Sequence, residues 1–223
     1  MKMLELIQSQ LTERTTRFFS EKTRDRILSS SLALFNEQSF QTVTTAAIAE
    51  RAGILEGTLW YHFPSKKDIL SAHIELLQLI FEEENSRAAD EDATIIVEGI
   101  FGSYDVIWDF RYVLRDDFNF TLKNEPDLLQ KTQEINAFLD LWTEGRVVHS
   151  AGCGLLSLSP ENIENTSELI LLIGRHWLDF SSKKYPLASP EELRKKGLTH
   201  IFNVLEQYLS SEAKDIASAL LRL

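Results

Sequence analysis

The sequence is poor in three things. It has one cysteine, Cys153, so no internal disulfide and no cysteine-based zinc cluster can form, which fits a reducing compartment. It has no long apolar run: the longest, Leu169 to Ile173, falls far short of the ~20 residues of a membrane span. The start, Met1 to Ile7, carries Glu5 inside its apolar stretch and no small-residue cleavage site, a poor signal peptide. A soluble cytoplasmic protein with no membrane partner is expected. The chemistry of catalysis is equally sparse. There is no glycine-rich phosphate loop. None of the five histidines (62, 73, 149, 176 and 200) has a glutamate three residues before it, as a helical di-iron site requires. Cys153 and His149 are near in sequence, but Gly152 and Gly154 around the cysteine read as a helix end. No catalytic residue, metal site or cofactor is expected, and the chain does not read as an enzyme.

What is present is a core and an uneven charge. Of 223 residues, 43% are apolar and 10% aromatic, enough to bury a sizeable interior. Twenty-three basic and 34 acidic side chains give a net −11, which argues against a surface coated with nucleic acid throughout. The excess sits in the second part. Residues 1–74 hold nine basic and eight acidic side chains, and residues 75–223 hold 14 and 26. An anionic partner is electrostatically possible near the start and unlikely elsewhere.

Apolar residues recur at helical spacing through nearly every long segment, and no stretch alternates as a strand does. Leu28, Leu32 and Phe35 make one stripe; Ile69, Leu70, His73, Ile74, Leu77, Ile80 and Phe81 make another; Leu198, Ile201, Phe202, Leu205, Tyr208 and Leu209 make a third. Ser159-Pro160-Glu161 and Ser189-Pro190-Glu191 read as helix starts, with a capping hydroxyl, proline at the first helical position and an acid in the first turn. Ser65 and Asp68 have the spacing of a capping box. Gly152-Cys153-Gly154 and Tyr185-Pro186 read as stops. The expectation is an all-α protein of nine or ten helices.

The most informative stretch is Thr44 to Phe63, TTAAIAERAGILEGTLWYHF. Thr44 suits an N-cap, and Ile48, Ala49 and Ala52 give a short helix a compact apolar side. Gly53 can take the left-handed conformation that ends that helix in a sharp turn. A second short helix fits Leu55 to Tyr61 and is stopped by Pro64. Two short helices about a glycine turn form a helix-turn-helix, whose second helix fits a major groove and offers its N-terminal side chains to base edges.

From Thr23 to about Leu70 the chain resembles the TetR family of bacterial transcriptional regulators. The resemblance is carried by Thr23-Arg24, Ile27-Leu28, Leu34-Phe35, Phe40, Thr44, Ile48-Ala49, Ala52-Gly53, Gly57-Thr58-Leu59, Tyr61-His62-Phe63 and Lys66-Lys67. It implies phosphate contacts from Thr44, Trp60, His62, Lys66 and Lys67, and base-edge contacts from Glu56, Gly57 and Thr58. Four departures stand out. Ser39 replaces a usual glycine, so that turn is expected to be strained or built differently. Ile54-Leu55 replaces Val-Ser, removing the side-chain cap of the recognition helix. Trp60 replaces a tyrosine that reaches phosphate, and its indole N–H is the available donor. Glu56 cannot favour phosphate, but accepts from cytosine N4.

The resemblance also divides the chain: residues 1–20 as an N-terminal extension, 21–68 as the helix-turn-helix domain, and 69–223 as an effector-binding and dimerisation domain. In the extension, Leu4, Ile7 and Leu11 have helical spacing, and Arg14, Arg17 and Lys22 follow; a packed or frayed helix is expected rather than a minor-groove arm. Specificity needs two helix-turn-helix copies about 34–36 Å apart on double-stranded DNA. The apolar run Leu169–Ile173 with Trp177, Leu178 and Phe180, together with the 198–209 stripe, is expected to supply a homodimer interface over about 160–182 and 190–209. The aromatics of 101–142 suit a small-molecule pocket, with Tyr104, Trp108, Tyr112 and Trp142 as lining residues and Arg111, Arg115 or Arg146 to neutralise an acidic effector. The implied function is a repressor that binds a palindromic operator as a homodimer and is released by a small-molecule effector. The alternative is a TetR-like chain with weakened operator binding, acting through a protein partner.

Overall fold

A computed structural model describes residues 10–87 and 92–221. Twelve α-helices follow one another through them: α1 (Glu13–Thr16), α2 (Thr23–Glu37), α3 (Thr45–Ala52), α4 (Glu56–His62), α5 (Lys66–Arg87), α6 (Ala93–Asp109), α7 (Arg111–Leu114), α8 (Asp116–Thr121), α9 (Pro126–Gly152), α10 (Pro160–Lys184), α11 (Pro190–Leu205) and α12 (Ser211–Leu221). A lone antiparallel bridge joins Leu156 to Leu209, and there is no strand among the described residues. The fold is all-α. The helices outnumber the nine or ten expected because α1, α7 and α8 span only four to six residues, too short to show an apolar period. No described helix is long and apolar enough to cross a membrane. Leu4 and Ile7, with the rest of Met1–Ile7, lie outside the described residues.

Of the helix starts expected at Ser65, Ser159 and Ser189, two are capped by the expected side chain. Ser189 Oγ accepts from the Glu192 amide, while the Glu192 carboxylate accepts from the Ser189 amide, a complete capping box. Ser65 and Asp68 form the same reciprocal pair, at 2.8 Å from the Ser65 amide to Asp68 Oδ2 and 3.4 Å in return. Ser159 precedes α10 with Pro160 as expected, but its hydroxyl makes no capping bond. Ser39 takes φ +154°, outside the range open to a side chain without strain, where the family's glycine would be unstrained. Its Oγ, 2.9 Å from Thr42 Oγ1, offsets part of the cost.

The chain divides into two compact units. The first takes the chain up to Ile80 together with Asp109–Glu134, so it extends past the 21–68 boundary expected for the helix-turn-helix domain. The reason is His73. This side chain is fully buried; its Nε2–H donates to Leu28 O at 3.0 Å, and its Nδ1 accepts from the Tyr112 hydroxyl at 2.7 Å. One imidazole thereby ties α5 to α2 and α7. Around it the rings of Phe35, Phe110 and Tyr112 stack edge-on or tilted, and Phe118 packs on Tyr112 and Phe40. Asn36 adds a second tie, donating to Asp109 O at 2.6 Å and accepting from the Tyr112 amide at 3.2 Å. The described part of the N-terminal extension joins this unit. Thr12 donates from its amide and hydroxyl to Asp109 Oδ2 at 2.9 and 2.7 Å, and Leu11 and Thr15 are buried. Residues 10–20 are therefore packed, not an extended arm.

The second unit holds Phe81–Trp108 and Ile135–Leu223. Its tightest approach is at Gly197 of α11. A Cβ there would lie 2.0 Å from Tyr104 Oη of α6 and 2.6 Å from Trp177 Cδ1 of α10, so only glycine lets the three helices meet. Trp177 Nε1 donates to Leu193 O at 2.8 Å, Phe101 faces Phe202, and Arg194 pairs with Asp105. The stripe Ile201, Phe202 and Leu205 is thus buried inside this unit.

Burial pushes the His73 pKa down to about 4, against an ordinary value near 6.5. Below pH 6.5 the unfolded chain binds a proton that the folded chain refuses, so stability falls with pH until about 4. Between pH 7 and pH 5 this group removes about 2 kcal/mol. Urea unfolding should show that loss in the parent and most of it missing in His73→Gln, which will be less stable at pH 7. Ser39→Gly should raise stability by about 1 kcal/mol by releasing the strained backbone, read as a higher urea midpoint with an unchanged slope.

Candidate nucleic-acid interface

The helix-turn-helix is assembled from short-range signals. Thr44 Oγ1 accepts from the Ala47 amide at 3.1 Å and starts α3. Ile48, Ala49 and Ala52 face inward and are buried. Gly53 ends the helix at φ 65°, ψ 41°, and the Ile54 amide reaches back to Ala49 O at 3.0 Å. The guanidinium of Arg26 in α2 donates to the carbonyls of Ala52 and Gly53, holding the turn from outside. Arg51 forms a bidentate pair with Glu37 of α2, both bonds at 2.9 Å. Neither arginine carried a signal in the sequence, because each partner lies 14 or more positions away.

Helix α4 begins at Glu56 without a side-chain cap, since Leu55 has none to give. Glu56 stands in differently: its carboxylate sits in the first turn and accepts from Thr45 Oγ1 at 2.6 Å, bracing the two helices against each other. Leu59 and Phe63 anchor the helix from below. What it turns to solvent is Leu55 (80% exposed), Glu56, Gly57, Thr58, Trp60 and Tyr61 (84% exposed). Gly57 is open, with nothing within 4 Å of an added Cβ. His62 is half-buried and meets the Tyr61 ring edge-on. Tyr61, matched by the family pattern but given no role from it, is among the most exposed aromatic side chains of this face.

The two lysines are engaged within the protein. Lys66 Nζ donates to the carbonyls of Phe40, Gln41 and Val43 at 2.5, 3.3 and 2.9 Å and lies 4.7 Å from the Phe40 ring. Partial burial pulls its pKa below the ordinary lysine value. It braces the loop before α3, and reaches a phosphate only by releasing those carbonyls. Lys67 is exposed and pairs with Glu125 at 2.6 Å. The face around α4 is therefore rich in aromatic and hydroxyl groups and carries one carboxylate.

The four aromatic positions expected to line an effector pocket fall in both units. Tyr112 is packed in the first unit against His73 and Phe35. Tyr104, Trp108 and Trp142 belong to the second. There Tyr104 and Trp108 are neighbours at 6.3 Å, and Trp142 packs edge-on to Phe81 at 4.7 Å and donates to Phe81 O. All four are buried.

Residues 27–73 match the family described as bacterial regulatory proteins of the tetR family, and residues 75–216 match its companion, described as bacterial transcriptional repressor. The HTH-type transcriptional repressor KstR of Rhodococcus jostii is 39% identical over 67 residues, which span 30% of this chain and 30% of that protein. A TetR-family transcriptional regulator from Marinobacter aquaeolei superimposes with a TM-score of 0.59 at 28% identity, covering 90% of this chain and 98% of that one. The SmeT–triclosan complex superimposes at 0.60 with 20% identity, over 86% and 93% of the two chains, a likeness of fold. With its N-terminal helix-turn-helix and the long helical match that follows, the chain belongs to the TetR family of bacterial transcriptional regulators.

Proposed function

We propose that the chain is a repressor that binds a palindromic DNA operator as a homodimer and is released by a small-molecule effector. The observation that carries this reading is the N-terminal end of α4, where Glu56, Gly57 and Thr58 are all exposed on a helix fixed by Gly53, Thr44 and the Thr45–Glu56 hydrogen bond. Direct readout needs that arrangement: a rigid helix whose first turn reaches base edges. Thr44, Trp60 and His62 flank it as phosphate donors, with Lys66 and Lys67 available on rearrangement.

A second copy is supported by α10. Leu169, Leu172 and Phe180 are about half exposed along one side of this helix, while Trp177 and Leu178 of the same helix are buried. Apolar side chains half exposed along one helix face suit burial against a second copy. On this reading α10 supplies most of the apolar contact, because the facing residues of α11 that follow the same period are already internal. On this reading the effector binds in the second unit, among its buried aromatics. Binding there would favour a spacing of the two recognition helices that no longer fits one turn of DNA.

One observation favours a second reading. The lysines of the helix-turn-helix are engaged inside the protein, and the open face presents Leu55, Trp60 and Tyr61 beside the acidic Glu56. Such a face also suits a protein partner. Selection from a random duplex library separates the two. The repressor reading expects a palindromic site, binding that weakens as salt rises, and a loss of roughly fivefold or more in Thr58→Ala from one base contact. No enrichment at low salt would overturn it and favour the partner. Sedimentation should show a dimer whose dissociation constant rises at least tenfold in Leu172→Lys, the cost of about 1.4 kcal/mol for a charge on the apolar stripe.

A further inference from the structure

In the second unit one charged group lacks a partner that its burial demands. Arg146 of α9 is 5% exposed, and its Nε and Nη2 are buried with no hydrogen-bond acceptor among the described residues. Its guanidinium lies 5.8 Å from the Trp142 ring, and Nη2 rests over the α6 backbone at Gly99, where an added Cβ would approach it to 3.2 Å. Trp142 in turn packs on Phe81. The nearby carboxylate does not satisfy it. Glu84 of α5, itself 6% exposed, pairs with Arg87 at 3.4 Å and acts on Arg146 only through space. Two guanidiniums therefore face one carboxylate. Burial pulls the Arg146 pKa down and Glu84 opposes this, but arginine stays charged at any physiological pH.

A buried guanidinium with free N–H groups is a costly arrangement that an incoming acceptor relieves. Planar N–H pairs of this kind match a carboxylate in a bidentate fork. We propose that Arg146 is the anion-reading group of the effector site, and that the effector is an apolar small molecule carrying a carboxylate. The fork at Nε and Nη2 takes the carboxylate, and the Trp142 and Phe81 rings take the apolar body. Gly99 leaves the room that the guanidinium itself occupies against α6. The inference rests on the effector-released reading above and names the chemical class of ligand for it.

The test uses the full chain and two probe pairs, decanoate with its methyl ester and 4-phenylbutyrate with its methyl ester, titrated by calorimetry. At least one acid should bind about tenfold or more tightly than its ester, the yield of a charge-assisted bidentate contact. Arg146→Met, similar in length and uncharged, should bring that ratio to about one while keeping ester binding. It should melt no lower than the parent, because it removes a buried charge without partners. If it fails to fold, the acid-to-ester ratio of the parent decides alone. Equal affinity for acid and ester, an unchanged ratio in Arg146→Met, or no binding of either acid at millimolar concentration would overturn the proposal, leaving water as the occupant. Release of the selected operator is read in parallel. Acids that bind through Arg146 without releasing DNA would sink the effector-released reading and leave the anion site standing; esters that release DNA with Arg146 indifferent would do the reverse.

Discussion

A single neutral imidazole sets the geometry of the DNA-facing unit. His73 gives its proton to a carbonyl of α2 and takes one from the phenol of α7, so both ring nitrogens are satisfied only when the three helices are in register. Protonation would put a second N–H against the Tyr112 oxygen inside a sealed aromatic shell, and burial holds the group neutral for that reason. Phe35, which belongs to α2, packs on His73 and on Phe40, and Phe40 sits under the ammonium of Lys66. Lys66 in turn gathers the carbonyls of the loop that leads to Thr44 and α3. The cap, the glycine turn and α4 are thus the last links in a chain of contacts that starts at His73.

The same links explain why neither Lys66 nor Lys67 is presented unpaired beside α4. A lysine that gathers three carbonyls is a structural cation, and the pair between Lys67 and Glu125 restrains the next one. On the proposed reading, affinity for DNA draws more on hydroxyl, indole and backbone donors than on these two lysines. A net charge of −11 acts in the same direction at long range. Under such conditions, sequence reading weighs more against non-specific attraction than it would in a basic protein.

Much of this was legible in the sequence wherever the cause is local. The N-cap at Thr44, the left-handed Gly53, the capping box at Ser65 and the helix start at Ser189 each follow from residues within four positions of one another, and the strained Ser39 stood out against the glycine usual in the family. What stayed hidden depends on distance along the chain. The carbonyls that engage Lys66 lie 23 to 26 positions away and carry no side-chain signature. The bracing of Glu56 by Thr45 turned a residue read as a base contact into one with a partner in the fold as well. The resemblance grouped Tyr112 with Tyr104, Trp108 and Trp142 as pocket-lining candidates, whereas Tyr112 belongs to the other unit. Spacing also gave no reason to prefer Arg146 over Arg111 or Arg115; the lack of an acceptor is a property of three dimensions.

The composition of the first unit bears on how such a protein can be cut and joined. Its core borrows Phe110, Tyr112 and Phe118 from a segment that follows an entire helix of the second unit. The DNA-facing part is therefore not a contiguous cassette. A recombination that grafted a foreign sensory half after residue 68 would strip the shell from Phe35 and Phe40 and remove His73 with it. Exchange of sensing function between relatives must instead preserve two separate stretches of chain, or rebuild that aromatic seam each time.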